Sequence, residues 1–319
     1  MSRQAERYAA NRISQWSRAG KDVHKAMTAD EAIKLGGLDF KVRVSEEPVS
    51  VVIKEKVLEV DNKFITYGEY SDGKLLPFGV VGNRYTPIQN QEAFDFLNNI
   101  VDESGALYHT AGVTGSKCWI NMKLPDTITV AGGADSLETY LTCVNSHDGS
   151  SSFKVYVSHL RLICTNGLKG VVRDANSEIT LRHTQGATLK VQQARESLQL
   201  VWQYQESFER EVQRLLDTPM TDNQYKKFVE ALIPEPKPDA STRKVNSVEN
   251  VRSELLGLWK APTQQIVANT AWAAYNAVTE YVDWFRPVRG GEDKDTLRAE
   301  KMLSGNSKLK NRAFDLLSA

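Results

Sequence analysis

Near Gly186 the spacing of the apolar residues changes, and this change restricts the fold class more than any other property of the chain. Before it, short β-branched runs are broken by turn signals; after it, Val191, Ala194, Leu198, Val201, Gln205, Phe208, Val212 and Leu215 follow at spacings of three and four. Alternation places one side-chain set on each face of a strand, whereas three-four spacing gathers a stripe on one side of a helix. Strands first and helices second define an α+β chain: a mostly antiparallel sheet with a packed helix in the N-terminal half, then a helical C-terminal region. The expected division is an arm over residues 1–27, a sheet domain over 28–186 and a helical region over 187–319 that can pack on the sheet.

Local signals place the elements. Tyr8, Ile13 and Trp16 fall at loose helical spacing among arginines, so the arm can form a basic, weakly amphipathic helix. Thr28-Ala29-Asp30-Glu31-Ala32 reads as a capped short helix, with Glu31 placed to reach back and Gly36-Gly37 as the stop. Val49, Val51, Ile53, Val57 and Val60 predict strands, and Ser71-Asp72-Gly73 a turn. Asn90 is expected to cap one helix carrying Ala93, Phe94, Leu97, Ile100 and Val101. Two hairpins follow, 107–113 with 117–124 and 138–145 with 152–164. The long helix ends at Thr218-Pro219; its stripe can mate within the chain or with a second copy, and Gln205 in the seam would select one register. Thr221 is expected to cap a helix presenting Tyr225, Phe228, Val229 and Leu232, before a stiff linker at Pro234, Pro236 and Pro238 and helices over 248–259, 264–285 and 307–317.

Charge and motif content narrow the function classes. The 40 basic residues are balanced by 40 acidic ones, so attraction to a polyanion must come from local clustering. Cys118, Cys143 and Cys164 are odd in number and far apart, which fits a reducing cytosol. Residues 1–20 hold no apolar stretch long enough for a signal peptide or span, so a cytoplasmic protein without a membrane partner is expected. Phosphate-loop, dinucleotide, Cys-x-x-Cys and His-Glu-x-x-His strings do not occur, so neither cofactor nor metal is expected.

Three polar groups remain as candidates. Asn145, His147 and Asp148 lie in a hairpin tip, where Asp-Gly turn chemistry competes with a loop that touches a ligand; adjacent residues are not thereby aligned as a triad. His159 and Arg161 share one face of a strand, opposite Leu160 and Leu162, where the arginine fork suits phosphate or an ion pair equally. Cys164 reads as a small core residue, and Asn166-Gly167 as a left-handed turn. Lys154, Arg161, Lys169, Arg173, Arg182 and Lys190 outnumber Asp174 and Glu178 over the same stretch. The expected nucleic-acid-binding set is Lys154, Tyr156, His159, Arg161, Lys169, Arg173, Arg182 and His183, with Tyr156 or His159 stacking on bases; no catalytic residue is assigned.

The ordered motifs Thr28-Ala29-Asp30-Glu31-Ala32, Gly37-Leu38-Asp39-Phe40, Asn83-Arg84-Tyr85, Asn145-Ser146-His147-Asp148-Gly149-Ser150, Arg182-His183-Thr184 and Asn276-Ala277-Val278-Thr279-Glu280-Tyr281, with Arg161, Cys164, Asn166 and Trp272, resemble the phage/plasmid-like protein family, domain of unknown function 932. Thr165-Asn166-Gly167-Leu168 departs slightly from the family pattern. The resemblance implies a mobile-element protein of a bacterial cytoplasm and brings no reaction or catalytic residues to transfer. The first expectation is a homo-oligomeric nucleic-acid binder, single-stranded DNA favoured, acting as a binding or annealing protein in recombination or replication. The second is a protein that binds a host factor through its helical half, using the long stripe or Trp272 and Trp284. The third is a metal-assisted phosphodiester hydrolase that gathers His147, Asp148, Arg161 and His183 in one cleft.

Overall fold

The computed structural model describes residues 14–163, 166–168, 178–181, 191–290, 293–304 and 307–318. Helix α1 (Gln15–Ala19) is capped by Ser14 and leads into the short strand β1 (Lys21–Asp22). Helix α2 (Ala29–Gly36) starts at Thr28, whose Oγ1 accepts from the Glu31 N–H at 3.3 Å, while Glu31 reaches back to accept from the Met27 N–H at 2.7 Å. It ends on Gly37, whose φ of 75° is left-handed and suits glycine.

Five strands follow: β2 (Lys41–Val44), β3 (Ser50–Ile53), β4 (Lys56–Glu59), β5 (Lys63–Glu69) and β6 (Leu75–Gly82). Strands β2, β5 and β6 form a small antiparallel sheet, and β3 with β4 stands apart as a two-stranded hairpin. The single helix expected after Asn90 is two, α3 (Asn90–Phe94) and α4 (Leu97–Ser104). Phe94 and Phe96 are both buried against Phe153, and positions two apart cannot share a face of one helix, so the chain breaks between them. The cap is Gln89 rather than Asn90, because the Asn90 side chain turns inward to donate to the Leu38 carbonyl at 2.9 Å.

The main sheet adds β7 (Leu107–Thr114), β8 (Lys117–Val130), β9 (Asp135–Ser146), β10 (Phe153–Arg161), β11 (Asn166–Leu168) and β12 (Glu178–Leu181). Its order is β1-β7-β8-β9-β10-β11, antiparallel throughout, and β12 also pairs with β10. Asn166 and Gly167 are therefore extended against Arg161 and Leu160, not a left-handed turn; pairing with the strand edge holds them straight. Ile120, Met122, Leu141, Cys143, Val155 and Val157 line the core face. The opposite face carries Trp119, Tyr140, Val144, Tyr156 and Leu160 in a second cluster with Trp16 and Leu303.

The helical half comprises α5 (Val191–Leu216), α6 (Asp222–Leu232), α7 (Thr242–Trp259), α8 (Ala271–Glu280), α9 (Lys294–Ser304) and α10 (Lys308–Leu317). The helix expected over 264–285 is instead a 3-10 turn (Pro262–Val267), then α8 capped by Thr270, then a π turn (Tyr281–Phe285). Tyr204, Phe208, Val212 and Leu215 of α5 are buried in the core that the helices share with the sheet. Gln205 lies outside that seam, donating to Glu209 at 3.3 Å on the helix surface.

Candidate functional site

The hairpin tip between β9 and β10 is an internal knot. Asn145, Ser146 and His147 are fully buried. His147 Nε2 lies 3.0 Å from Asn90 Oδ1, Asn145 donates to the Ile88 carbonyl at 3.0 Å, and the Thr66 hydroxyl donates to the His147 carbonyl at 2.6 Å. The imidazole packs on Phe78 and Phe40. Asp148 faces elsewhere: it accepts from Ser116 Oγ at 2.6 Å, Ser146 Oγ at 2.7 Å and the Ser150 N–H at 2.8 Å. Partial burial pushes its carboxyl up, but these hydrogen bonds outweigh that and hold it at about 2. His147 and Asp148 thus serve different partners, and no His–Asp relay forms.

The residues of β10 divide between the two sheet faces. Lys154 and Tyr156 lie on the face of the second cluster; Lys154 is paired with Glu178 at 2.7 Å, and the buried Tyr156 donates to the Leu303 carbonyl at 2.9 Å. His159 and Arg161 lie on the core face, both fully buried. His159 is wedged against Tyr204 and Phe208, its Nδ1 is 3.1 Å from Thr139 Oγ1, and burial lowers its pKa to about 3. Arg161 Nε donates to Asp135 at 2.6 Å and its Nη1 to Gln264 at 3.0 Å. Gln264 and Thr263 in turn donate to the buried Glu280 at 3.0 and 2.7 Å. These two side chains fasten sheet to helices and are not presented to an external phosphate or base.

Of the expected set, then, Lys154 and Tyr156 are separated from His159 and Arg161 by the sheet itself. Arg161, paired with Leu137, and His147, ten residues further along, stand at opposite ends of the β9–β10 hairpin, roughly 30 Å apart at the rise of a strand. Cys164, Lys169, Arg173, Arg182, His183 and Lys190 lie outside the described residues. Among the described residues no group of three His, Cys, Asp or Glu side chains could hold a metal ion, and no helix is long and apolar enough to cross a membrane.

One polar cluster escapes sequence reasoning altogether. Lys123 Nζ meets Glu138 Oε1 at 2.5 Å, the Tyr140 hydroxyl donates to Glu138 Oε2 at 2.7 Å, and His109 Nε2 lies 3.5 Å from that hydroxyl. A β-bulge between Tyr108 and Thr110 aims His109 at this point, and the β8–β9 register brings Lys123 opposite Tyr140. Burial lowers the His109 pKa and favours its neutral form; the Glu138 carboxyl is pushed up by burial but lowered overall by Lys123 and Tyr140. An ionised carboxylate beside a neutral imidazole can hold a polar ligand by hydrogen bonds. Only strand register, which sequence does not print, unites the four.

An antiparallel meander crossed by helices, with polar groups engaged mostly in internal fastening, defines an α+β scaffold. The chain belongs to the family described as Domain of unknown function (DUF932), which it matches over residues 77–303. No curated protein and no solved structure matches it.

Proposed function

We propose that the chain binds nucleic acid, single-stranded DNA first, at the sheet edge formed by β11 and β12, and that it serves a phage or plasmid element in the cytoplasm of a bacterial host. One observation carries this reading. Strands β11 and β12 both pair with β10, at 159–161 and at 153–156, so the described chain leaves one sheet edge after Leu168, rejoins it at Glu178 and leaves it again after Leu181. The sequence of 169–177 and 182–190 holds Lys169, Arg173, Arg182, His183 and Lys190, with Asp174 as its one acid. A local excess of cations is what a chain of zero net charge needs to attract a phosphate backbone. The buried Arg161 and His159 contribute by fixing the edge rather than by touching the ligand.

Fluorescence anisotropy with a labelled oligothymidylate tests the reading. Three or four phosphate contacts predict a slope of log affinity against log salt of about −2 to −3 for a single strand. Charge reversal at Lys169, Arg173 and Arg182 together is expected to abolish binding. Salt-independent binding, no binding at low salt, or an unaltered affinity in the triple variant each removes the proposal. Binding to a host protein through the helical half has less support, because Tyr204, Phe208, Val212, Leu215 and Trp272 are all buried in the core.

A further inference from the structure

We infer that α9 is a strap over a stacking platform: single-stranded DNA displaces this helix and lays bases on the aromatic sheet face that it covers. This rests on the nucleic-acid reading and adjoins the edge proposed above, because Lys154 and Tyr156 stand on β10 opposite Thr180 and Glu178 of β12. Trp16, Tyr140 and Tyr156 gather on that face with Trp119, and the Trp16 and Tyr140 rings lie 5.4 Å apart. Bases stack on such rings with little regard to sequence. The hold of α9 on them is slight: it buries Ala299 and Leu303, half-buries Met302, and accepts at the Leu303 carbonyl from the Tyr156 hydroxyl at 2.9 Å.

Charge shows what the helix replaces. Lys123 and Lys154 are neutralised by Glu138 and Glu178 of the sheet itself, whereas Arg18 and Lys117 meet acids borne by α9. Arg18 Nη1 is 3.3 Å from Asp295 Oδ2, and Lys117 Nζ is 4.0 Å from Glu300 Oε1. Of the cations on α9, Lys294 and Lys301 are exposed and Arg298 donates to the Asp283 carbonyl at 3.2 Å. Lifting α9 therefore bares one cation of α1 and one of β8 beside the rings, where phosphates take the place of the two carboxylates. The Trp284 ring, 5.2 Å from the Arg18 guanidinium, keeps that group oriented.

The covered face also keeps polar atoms that the cover does not satisfy. Trp16 Nε1 and Asn121 Oδ1 are buried and have no hydrogen-bond partner among the described residues. The β8–β9 register pairs Asn121 with Thr142 and Lys123 with Tyr140, so Asn121 lies diagonal to Tyr140, on whose ring Trp16 packs. The side chains that α9 buries here, Ala299 and Leu303, are apolar and offer neither donor nor acceptor. A base edge carries both, so an indole N–H and an amide carbonyl next to stacking rings suit a base better than they suit the helix.

The test is the affinity of the full chain for labelled oligothymidylate. Tyr156→Phe keeps the ring and releases α9 from its hydrogen bond, so binding is expected to tighten about threefold. Tyr156→Leu keeps apolar packing and loses the ring, so binding is expected to weaken about tenfold. Asp295→Asn with Glu300→Gln removes two partly exposed ion pairs and is expected to tighten binding about fivefold. The remote exposed pair Glu230→Gln with Glu249→Gln, equal in charge change, is expected to leave it unaltered. Met302→Cys in a Cys164→Ser background is expected to react faster with a maleimide once the oligonucleotide saturates the chain, since Cys118 and Cys143 are buried. These last variants decide the matter where a Tyr156 substitution unfolds the chain. Weakening by Tyr156→Phe as by Tyr156→Leu, equal effects of the two acid pairs, or labelling that the oligonucleotide slows or leaves unchanged overturns the strap. If those results come while charge reversal at Lys169, Arg173 and Arg182 abolishes binding, the edge reading stands without it; a wild type that binds no oligonucleotide removes both.

Discussion

Arg161 Nε donates to Asp135 Oδ2 at 2.6 Å with both side chains fully buried. Asp135 opens β9 and Arg161 closes β10, so the pair pins the far end of that hairpin, and Gln264 extends the contact into the helical half. Two buried charges balance only while both are present.

Truncating Arg161 to Ala is therefore expected to lower the unfolding free energy by about 3–5 kcal/mol, because the Asp135 carboxylate is left uncompensated. Urea denaturation reads this as a lower midpoint at unchanged slope. The double variant Arg161→Leu with Asp135→Leu is expected to lose less than the two single variants together. Additive losses would show that the partners act separately.

His159 predicts acid sensitivity. Its imidazole titrates at about 3 in the fold, against 6.5 for an unperturbed histidine. Between those values the unfolded chain binds a proton that the folded chain does not, so this group's contribution is lost as pH falls from 6.5 toward 3. The slope is up to about 1.4 kcal/mol per pH unit. His159→Phe keeps the ring between Tyr204 and Phe208 and removes the titration. Relative to wild type, it is expected to gain about 2 kcal/mol between pH 7 and pH 5 in denaturation curves. Parallel pH profiles would assign the acid response to other groups.

These two residues also show what sequence could and could not give. Thr28 and Thr221 announce their helices because a cap is a local signal, and both accept from the third helical N–H. The stripe of α5 is legible for the same reason. An arginine on a strand reads identically whether it lines a groove or closes a core. The partners of Arg161 lie 26 and 103 residues away, and only folding brings them to it. Helix α9 is hidden because its buried face amounts to little more than Ala299 and Leu303, too few to set a period. The Lys123–Glu138–Tyr140–His109 cluster depends on a bulge, which shifts register without a compositional mark.

Asp148 predicts a second, weaker pH effect. Its carboxyl is depressed from 3.8 to about 2, so the stabilisation is fully present above 3.8 and is lost as pH falls through 2. The side chain is partly exposed, and solvent screening reduces its contribution to about 1 kcal/mol. Asp148→Asn is expected to be less stable than wild type by that amount at pH 7 and equal to it near pH 2. A constant difference across this window would show that the substitution removes hydrogen-bond geometry rather than charge.

Gly79 tests whether the tip is a latch on the small sheet. A Cβ built there would sit 2.7 Å from Asp148 Cβ, closer than carbon atoms approach, and 3.2 Å from Asp148 Cα, a tight contact. The obstacle includes backbone, so relief requires the tip to move away from β6, taking with it the Thr66 bond to the His147 carbonyl. Gly79→Ala is expected to cost about 1–3 kcal/mol. Amide exchange should quicken at residues 146–150 while the core of β8 stays protected, since local opening precedes global unfolding. Gly82→Ala is the control, because nothing lies within 4 Å of a Cβ there. If both substitutions act alike, the close approach at Gly79 does not hold the tip in place.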